Sequence, residues 1–164
     1  MINLRPDTTK IESSRKEYEA LPDAEWRKDY FNEENGGYLA TSWKRIEQAE
    51  KSNQEKRKFS REHKICLVYA AEGHRIKHLP DKKTNDEGTY DAICDNVKAD
   101  LKKTGATNNI IKYASRATKK QGAQIILFEF ETWNNEFRNL VDELVRKGYH
   151  GRYFISGNKK THRF

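Results

Sequence analysis

The 164 residues suffice for one ordinary domain and are short for two, and a charged fraction of 35% with a mean hydropathy of −1.08 predicts an exposed helix or tail beside any compact part. A formal net charge of +7 and a pI near 9.3 favour an anionic partner, nucleic acid before membrane, because no amphipathic apolar-basic segment and no run of membrane-spanning length is present. The amino end, Met-Ile-Asn-Leu-Arg-Pro, lacks the apolar core of a signal peptide, and the two cysteines, Cys66 and Cys94, fit neither a disulfide framework nor a zinc site and are expected as buried thiols.

Residues 1–58 are expected to form a helical amino-terminal extension. Ile11 to Ala20 and Ala24 to Phe31 read as short helices separated by Leu21-Pro22-Asp23, and Asn32 to Gly37 as a loop. Tyr38 to Lys58 reads as a charged helix with a narrow apolar stripe of Leu39, Trp43, Ile46 and Ala49. The compact part, 59–164, starts with a helix from Ser60 to Glu72, its inner face carrying Ile65, Val68 and Tyr69, closed by Gly73. A strand over His74 to Leu79 and a polar loop over Asp81 to Gly88 follow.

Thr89 to Lys102 is then a hairpin. Asp95 and Asn96 both tolerate the left-handed backbone of a tight turn, which sets Cys94 opposite Val97, Ala92 opposite Ala99 and Tyr90 opposite Leu101 as one apolar face. The other face brings Asp91 across from Asp100 and Ile93 across from Lys98, with Lys102 two residues beyond Asp100. After the hairpin, Asn108 caps a helix from Asn109 to Gln121 that buries Ile110, Tyr113, Ala114 and Ala117 and presents Lys112, Arg116, Lys119 and Lys120 as a cationic flank. Gln124 to Phe130 is apolar enough to be a central strand. A helix capped by Asn134 carries Phe137, Leu140, Val141 and Leu144 and stops at Gly148; a last strand, Gly151 to Ser156, precedes a basic tail, Asn158 to Arg163. This order is an α+β fold: a helix, then a small mixed or antiparallel sheet with flanking helices, in the core order of restriction-endonuclease-like nucleases.

Like charges facing each other across a ladder are destabilising, so Asp91 and Asp100 need a counter-charge, a shared proton or a metal ion. Two oxygen ligands and a lysine in the order Asp, then Asp-x-Lys, suit a nuclease that holds a hard divalent cation beside a phosphate, and an exposed face of solvated charges is the competing interpretation. Glu72, at the end of the leading helix, is the candidate additional metal ligand, and Gln121 is placed to hydrogen-bond phosphate or the metal shell. The flank of Lys112, Arg116, Lys119 and Lys120 suits a phosphate backbone. His74 and His78 flank the first strand of the compact part as candidate proton donors, with solvated strand histidines as the alternative. No Gly-rich phosphate loop and no Ser/His/Asp arrangement is present.

Three stretches, Gly-His-Arg-Ile-Lys-His-Leu-Pro (73–80), Tyr-Asp-Ala-Ile-Cys-Asp-Asn-Val-Lys-Ala-Asp-Leu-Lys (90–102) and Ala-Thr-Lys-Lys-Gln-Gly-Ala-Gln-Ile-Ile-Leu-Phe (117–128), resemble the carboxy-terminal nuclease domains of bacterial contact-dependent-inhibition and related polymorphic or phage-borne toxins. The resemblance covers about residues 60 to 156. It matches Asp91 to the aspartate of a Pro-Asp strand, Asp100 and Lys102 to a Glu-x-Lys strand and Gln121 to the glutamine of a Lys-x-x-Gln helix end, with Tyr90 in place of the proline and aspartate in place of the glutamate. It implies a toxin-type nuclease domain over 59–164 that cleaves RNA, most often transfer RNA, in the cytoplasm of target cells after delivery as part of a larger protein or particle, and that is neutralised by an immunity protein. The fold it implies is either a metal-dependent PD-(D/E)xK core using Mg²⁺ or another divalent ion, or a metal-independent barnase/EndoU/colicin/RelE-like ribonuclease. A DNA-cleaving metal-dependent nuclease and a non-catalytic nucleic-acid-binding accessory protein of a mobile element or phage are the alternatives.

Overall fold

The computed structural model describes residues 8–81 and 89–164. The polar loop expected after Asp81 lies outside the described residues. Eight strands form one mixed sheet in sequence order: β1 (Trp26–Phe31), β2 (Tyr38–Ser42), β3 (Arg75–His78), β4 (Ala92–Cys94), β5 (Val97–Thr104), β6 (Ile125–Phe130), β7 (Gly151–Ile155) and β8 (His162–Arg163). The β2–β3, β5–β6 and β6–β7 pairs are parallel and the others antiparallel. Parallel neighbours need a crossover, and helices supply each one: α2 (Trp43–Ala49) and α3 (Asn53–Ala71) before β3, α4 (Ile110–Lys119) before β6, and α5 (Asn135–Arg146) before β7. A first helix, α1 (Thr8–Ala20), precedes the sheet. The architecture is α+β, as the order of elements predicts.

One face of the sheet packs Leu39, Ile76, Ala92, Ala99, Leu101 and Leu127 against Ile65, Cys66, Tyr69 and Ala70 of α3. On the other face α4 and α5 cover Ile126, Phe128 and Phe130, and Tyr18 of α1 covers Tyr38 and Ala40 at the opposite end. Both cysteines are buried and unbridged. Among the described residues, no helix is long and apolar enough to cross a membrane.

The first third departs most from expectation. Residues 24–31 contain β1 instead of a helix, and the single helix expected over Tyr38–Lys58 is β2, α2 and the start of α3. Every residue of Tyr38–Ser42 is buried, because β2 lies between β1 and β3 with apolar layers on both faces. A strand covered on both sides has no polar alternation to betray it. Gly37 admits β2 beside α3: a Cβ there would stand 1.9 Å from the Ala70 carbonyl oxygen. The chain before Phe59 therefore supplies two strands of the common sheet instead of a helical extension, and α3 begins at a cap formed by Ser52, whose hydroxyl accepts the Glu55 N–H at 3.1 Å, ahead of the expected Ser60.

From Gly73 onward the order follows expectation. Asp95 and Asn96 have φ of 50° and 67°, the two consecutive left-handed residues of a type I′ turn, and Cys94↔Val97, Ile93↔Lys98 and Ala92↔Ala99 pair in the expected register. Valine at Asn96 would force a branched side chain into left-handed backbone, so Asn96→Val is expected to cost about 1–2 kcal/mol in urea denaturation while Asn96→Gly is neutral or better. Two details differ. Tyr90 packs with the α4-side cluster and not with Ala92, since the ladder stops at Ala92↔Ala99 and the Asp91 carbonyl accepts the Leu79 N–H at 2.9 Å. The expected basic tail also turns back, pairing Tyr153 with His162 as β8.

Candidate active site

Because β4 begins only at Ala92, opposite Ala99, β5 runs on past its partner and leaves a notch beside it. Asp91 fills the notch: its N–H donates to Ala99 O at 3.0 Å, and its Oδ2 accepts the Leu101 N–H at 3.0 Å, in place of a ladder bond. Asp100 lies between Ala99 and Leu101, which point into the α3-side core, so its side chain turns to the opposite face. There it is 0% exposed, and no N–H or hydroxyl of the protein reaches either carboxylate oxygen. What it meets is the Asp91 carboxyl, with Lys102 Nζ 4.0 Å from Oδ2.

Burial and the facing Asp100 charge, with Glu62 adding to them, push the Asp91 carboxyl well above the ordinary aspartate range against the pull of the Leu101 N–H. Burial raises Asp100 as well, against the opposing effects of the Asp91 contact and of Lys102. The two facing carboxyls therefore retain a proton above the usual carboxylate range. A cation placed between them removes that requirement.

Two further carboxylates converge on the notch. Glu62 occupies the inward stripe of α3 with Ile65, Cys66 and Tyr69, three, four and seven residues on. Its Oε2 lies 3.0 Å from Arg45 Nη2 and 3.1 Å from His78 Nε2. Burial favours protonation of Glu62, but His78 and Arg45 outweigh it and hold the carboxyl below its ordinary value. Asp81 is pinned by Lys58 Nζ at 3.0 Å and by two hydrogen bonds between its backbone and the Gln48 amide. Glu62, Asp81 and Asp91 each offer an oxygen within 4.8 Å of the other two. Hard divalent cations bind carboxylate oxygens at about 2.0–2.6 Å, which such a set spans. The all-oxygen donors and the orphaned Asp100 carboxylate both fit an ion of this class.

The notch opens into a cleft of about 270 Å³ whose α3 wall carries Lys58 and Arg61 and whose far wall carries Lys102, Tyr113 and Gln121. The Lys102 ammonium stands 5.5 Å from the Tyr113 ring centroid. Carboxylates at the base and cations on both walls make a site able to hold a divalent ion and a phosphate side by side.

This fold has a solved counterpart. The chain is similar to a chain of the CdiA-CT/CdiI toxin and immunity complex from Burkholderia pseudomallei, with a TM-score of 0.54 and 13% identity over 69% of this chain and 88% of that one. No protein-family model and no curated protein matches it. At that identity the likeness is one of fold.

Of the residues singled out in the sequence, Asp91, Lys102 and Gln121 line the cleft, Asp100 is buried beside Asp91 and Lys102 without lining it, and the Gln121 Oε1 is buried without a hydrogen-bond partner. Glu72 does not join them. It lies ten residues beyond Glu62, about 15 Å along α3, and its carboxylate accepts from the Thr161 N–H at 2.8 Å and from the Thr161 hydroxyl. Glu62, inside the expected helix from Ser60 to Glu72 and three residues before Ile65, is the better candidate: a charge on an otherwise apolar stripe.

Lys112, Arg116, Lys119 and Lys120 are all exposed. At about 100° per residue, Arg116 and Lys120 project within about 60° of Tyr113, and Lys112 and Lys119 turn further outward; none of the four lines the cleft itself. His78 is not the solvated strand histidine considered above: it is 0% exposed, stacked on Phe59 at 5.5 Å. His74 is tied to Asp95 at 2.6 Å at the other end of β3.

Proposed function

We propose that the chain is a toxin-type endonuclease that cleaves RNA phosphodiester bonds, transfer RNA in particular, with Mg²⁺ or a similar divalent ion held at the notch, and that an immunity protein neutralises it. The observation that carries this reading is the pairing of Asp91, which lines a cationic cleft together with Lys102, with a buried Asp100 carboxylate that no N–H or hydroxyl of the protein reaches. The fold shared with a chain of a toxin and immunity complex supports the biological setting. The site of action is then the cytoplasm of a target cell.

Asp91 and Asp100, joined by Glu62 and Asp81, would hold the ion. When bound, it supplies charge stabilisation at a phosphoryl oxygen and a more acidic water. Lys102 stands beside the acidic pair and counters the negative charge that builds on the phosphate in the transition state. Gln121 offers its amide to the same phosphate or to the ion's water shell. Arg116 and Lys120 continue the track for the backbone, with Lys112 and Lys119 further out. The metal-free ribonuclease chemistry lacks its usual proton carrier, since no histidine is among the described residues lining the cleft and His78 is sealed beneath it.

Incubation of the purified chain with total RNA, labelled transfer RNA and duplex DNA tests the reading. RNA fragments, absent with Lys102→Ala of unchanged fold, are the expected result; binding without cleavage would leave only an accessory nucleic-acid-binding role, and cleavage of DNA alone would reassign the substrate. Arg116→Glu combined with Lys120→Glu is expected to weaken RNA binding by roughly tenfold or more at low salt and to flatten the salt dependence by about one phosphate contact per residue, measured by fluorescence anisotropy.

A further inference from the structure

Behind the acidic cluster lies a buried polar triad, and its cost needs a reason. Arg45 of α2 is 0% exposed, as is His78 of β3, and both donate toward the same Glu62 oxygen, at 3.0 and 3.1 Å. Phe59, one turn before Glu62 on α3, walls the group: the Arg45 guanidinium carbon is 5.3 Å from its ring centroid, and the His78 ring lies nearly parallel to it at 5.5 Å. Arg45 leaves Nε and Nη1 without partners, and His78 leaves Nδ1 without one. Burying an arginine and a carboxylate in this way stabilises a fold poorly, since desolvation offsets most of their attraction and an apolar trio would pack the same space.

We propose that Arg45 and His78 are positioning residues that lock the Glu62 carboxylate against the Asp81 and Asp91 oxygens, so that the cation site is assembled before the ion arrives. This rests on the reading of the notch as a divalent-cation site, for which the fully buried Asp100 carboxylate, facing Asp91 with no N–H or hydroxyl partner, is the independent sign. A glutamate has three side-chain torsions to fix. Two donors on one oxygen, backed by a flat aromatic wall, fix the plane of its carboxylate while leaving it negative. Neither Arg45 nor His78 is among the groups that converge on the ion site itself. Such outer partners commonly tune metal affinity by about 10–100-fold.

Calorimetric titration of Mn²⁺ into the full chain tests this apart from catalysis, with circular dichroism verifying the fold of each variant. Wild type is expected to bind and Asp91→Ala to lose binding. His78→Phe preserves the stack on Phe59 but removes the donor, and is expected to weaken Mn²⁺ binding by about tenfold or more. His78→Gln, whose amide can donate to Glu62, recovers most of that loss. Arg45→Lys keeps the charge without the planar donor and weakens binding several-fold, which keeps the test open if the histidine variant is unstable. Wild-type affinity in both His78→Phe and Arg45→Lys, with Asp91→Ala inactive in binding, overturns the positioning role and leaves the cation site standing. No Mn²⁺ uptake by wild type overturns the cation site and the positioning role together.

Discussion

Asp100→Asn is expected to abolish cleavage and at the same time to make the ion-free protein more stable at neutral pH. The two effects have one cause. Asp100 is fully buried against a second carboxyl with no N–H or hydroxyl donor to either oxygen, an arrangement that only a cation or a retained proton makes tolerable. Asparagine keeps the shape, supplies N–H donors toward Asp91 and removes the like-charge repulsion, a gain of about 1–3 kcal/mol by analogy with other buried charges replaced by neutral groups. It also removes a charged ligand, and losing several kcal/mol of transition-state stabilisation corresponds to a rate lower by about 10³-fold.

The pH dependence has a definite sign. Asp91 and Asp100 have folded-state values raised above those of the unfolded chain, so the folded protein holds protons that the unfolded chain releases. Their favourable contribution is complete below the ordinary carboxyl value of about 3.9 and is lost as the pH rises through the raised folded values. The stability gap between Asp100→Asn and wild type, measured by urea denaturation in chelator, is expected to widen from pH 4 to pH 8. A gap that is absent, or that closes with rising pH, would mean that the pair is not strained.

The second large effect is protection by the ion. A ligand bound only by the folded state at 100 times its dissociation constant stabilises by about 2.7 kcal/mol. For a chain of this length that raises the melting temperature by about 5–10 °C. Mg²⁺ or Mn²⁺ is expected to produce such a shift in wild type and none in Asp91→Ala. Glu72→Ala is expected to retain the shift, because Glu72 ties Thr161 at the far end of α3 and is not part of the cluster.

Local signals made the second half of the chain legible. The Asp95-Asn96 turn set the hairpin register, Asn134 caps α5 through the Phe137 N–H at 3.1 Å, and the run Ile125–Phe130 is inner because its neighbours on both sides are strands. The same register placed Asp91, Asp100 and Lys102 together. What stayed hidden was long-range. Of the stripe assigned to Leu39, Trp43, Ile46 and Ala49, Leu39 and Ala49 are buried, but Trp43 is 43% exposed, its indole donating to Asp23 O at 2.9 Å, and the sealed position of α2 beside Ala49 is Arg45. Arg45 turns inward because Glu62 awaits it on another helix, and periodicity within one segment carries no trace of that partner. Asp81 reaches the cluster through Gln48 and Lys58, contacts across 33 and 23 residues that no local pattern announces.

The most direct measurement is cleavage of total RNA by the purified chain in Mg²⁺, in excess chelator, and after Mg²⁺ is restored. Discrete fragments in the first and third conditions and intact RNA in the second are the predicted result. Undiminished cleavage in chelator would contradict an acidic notch that works by holding a divalent ion.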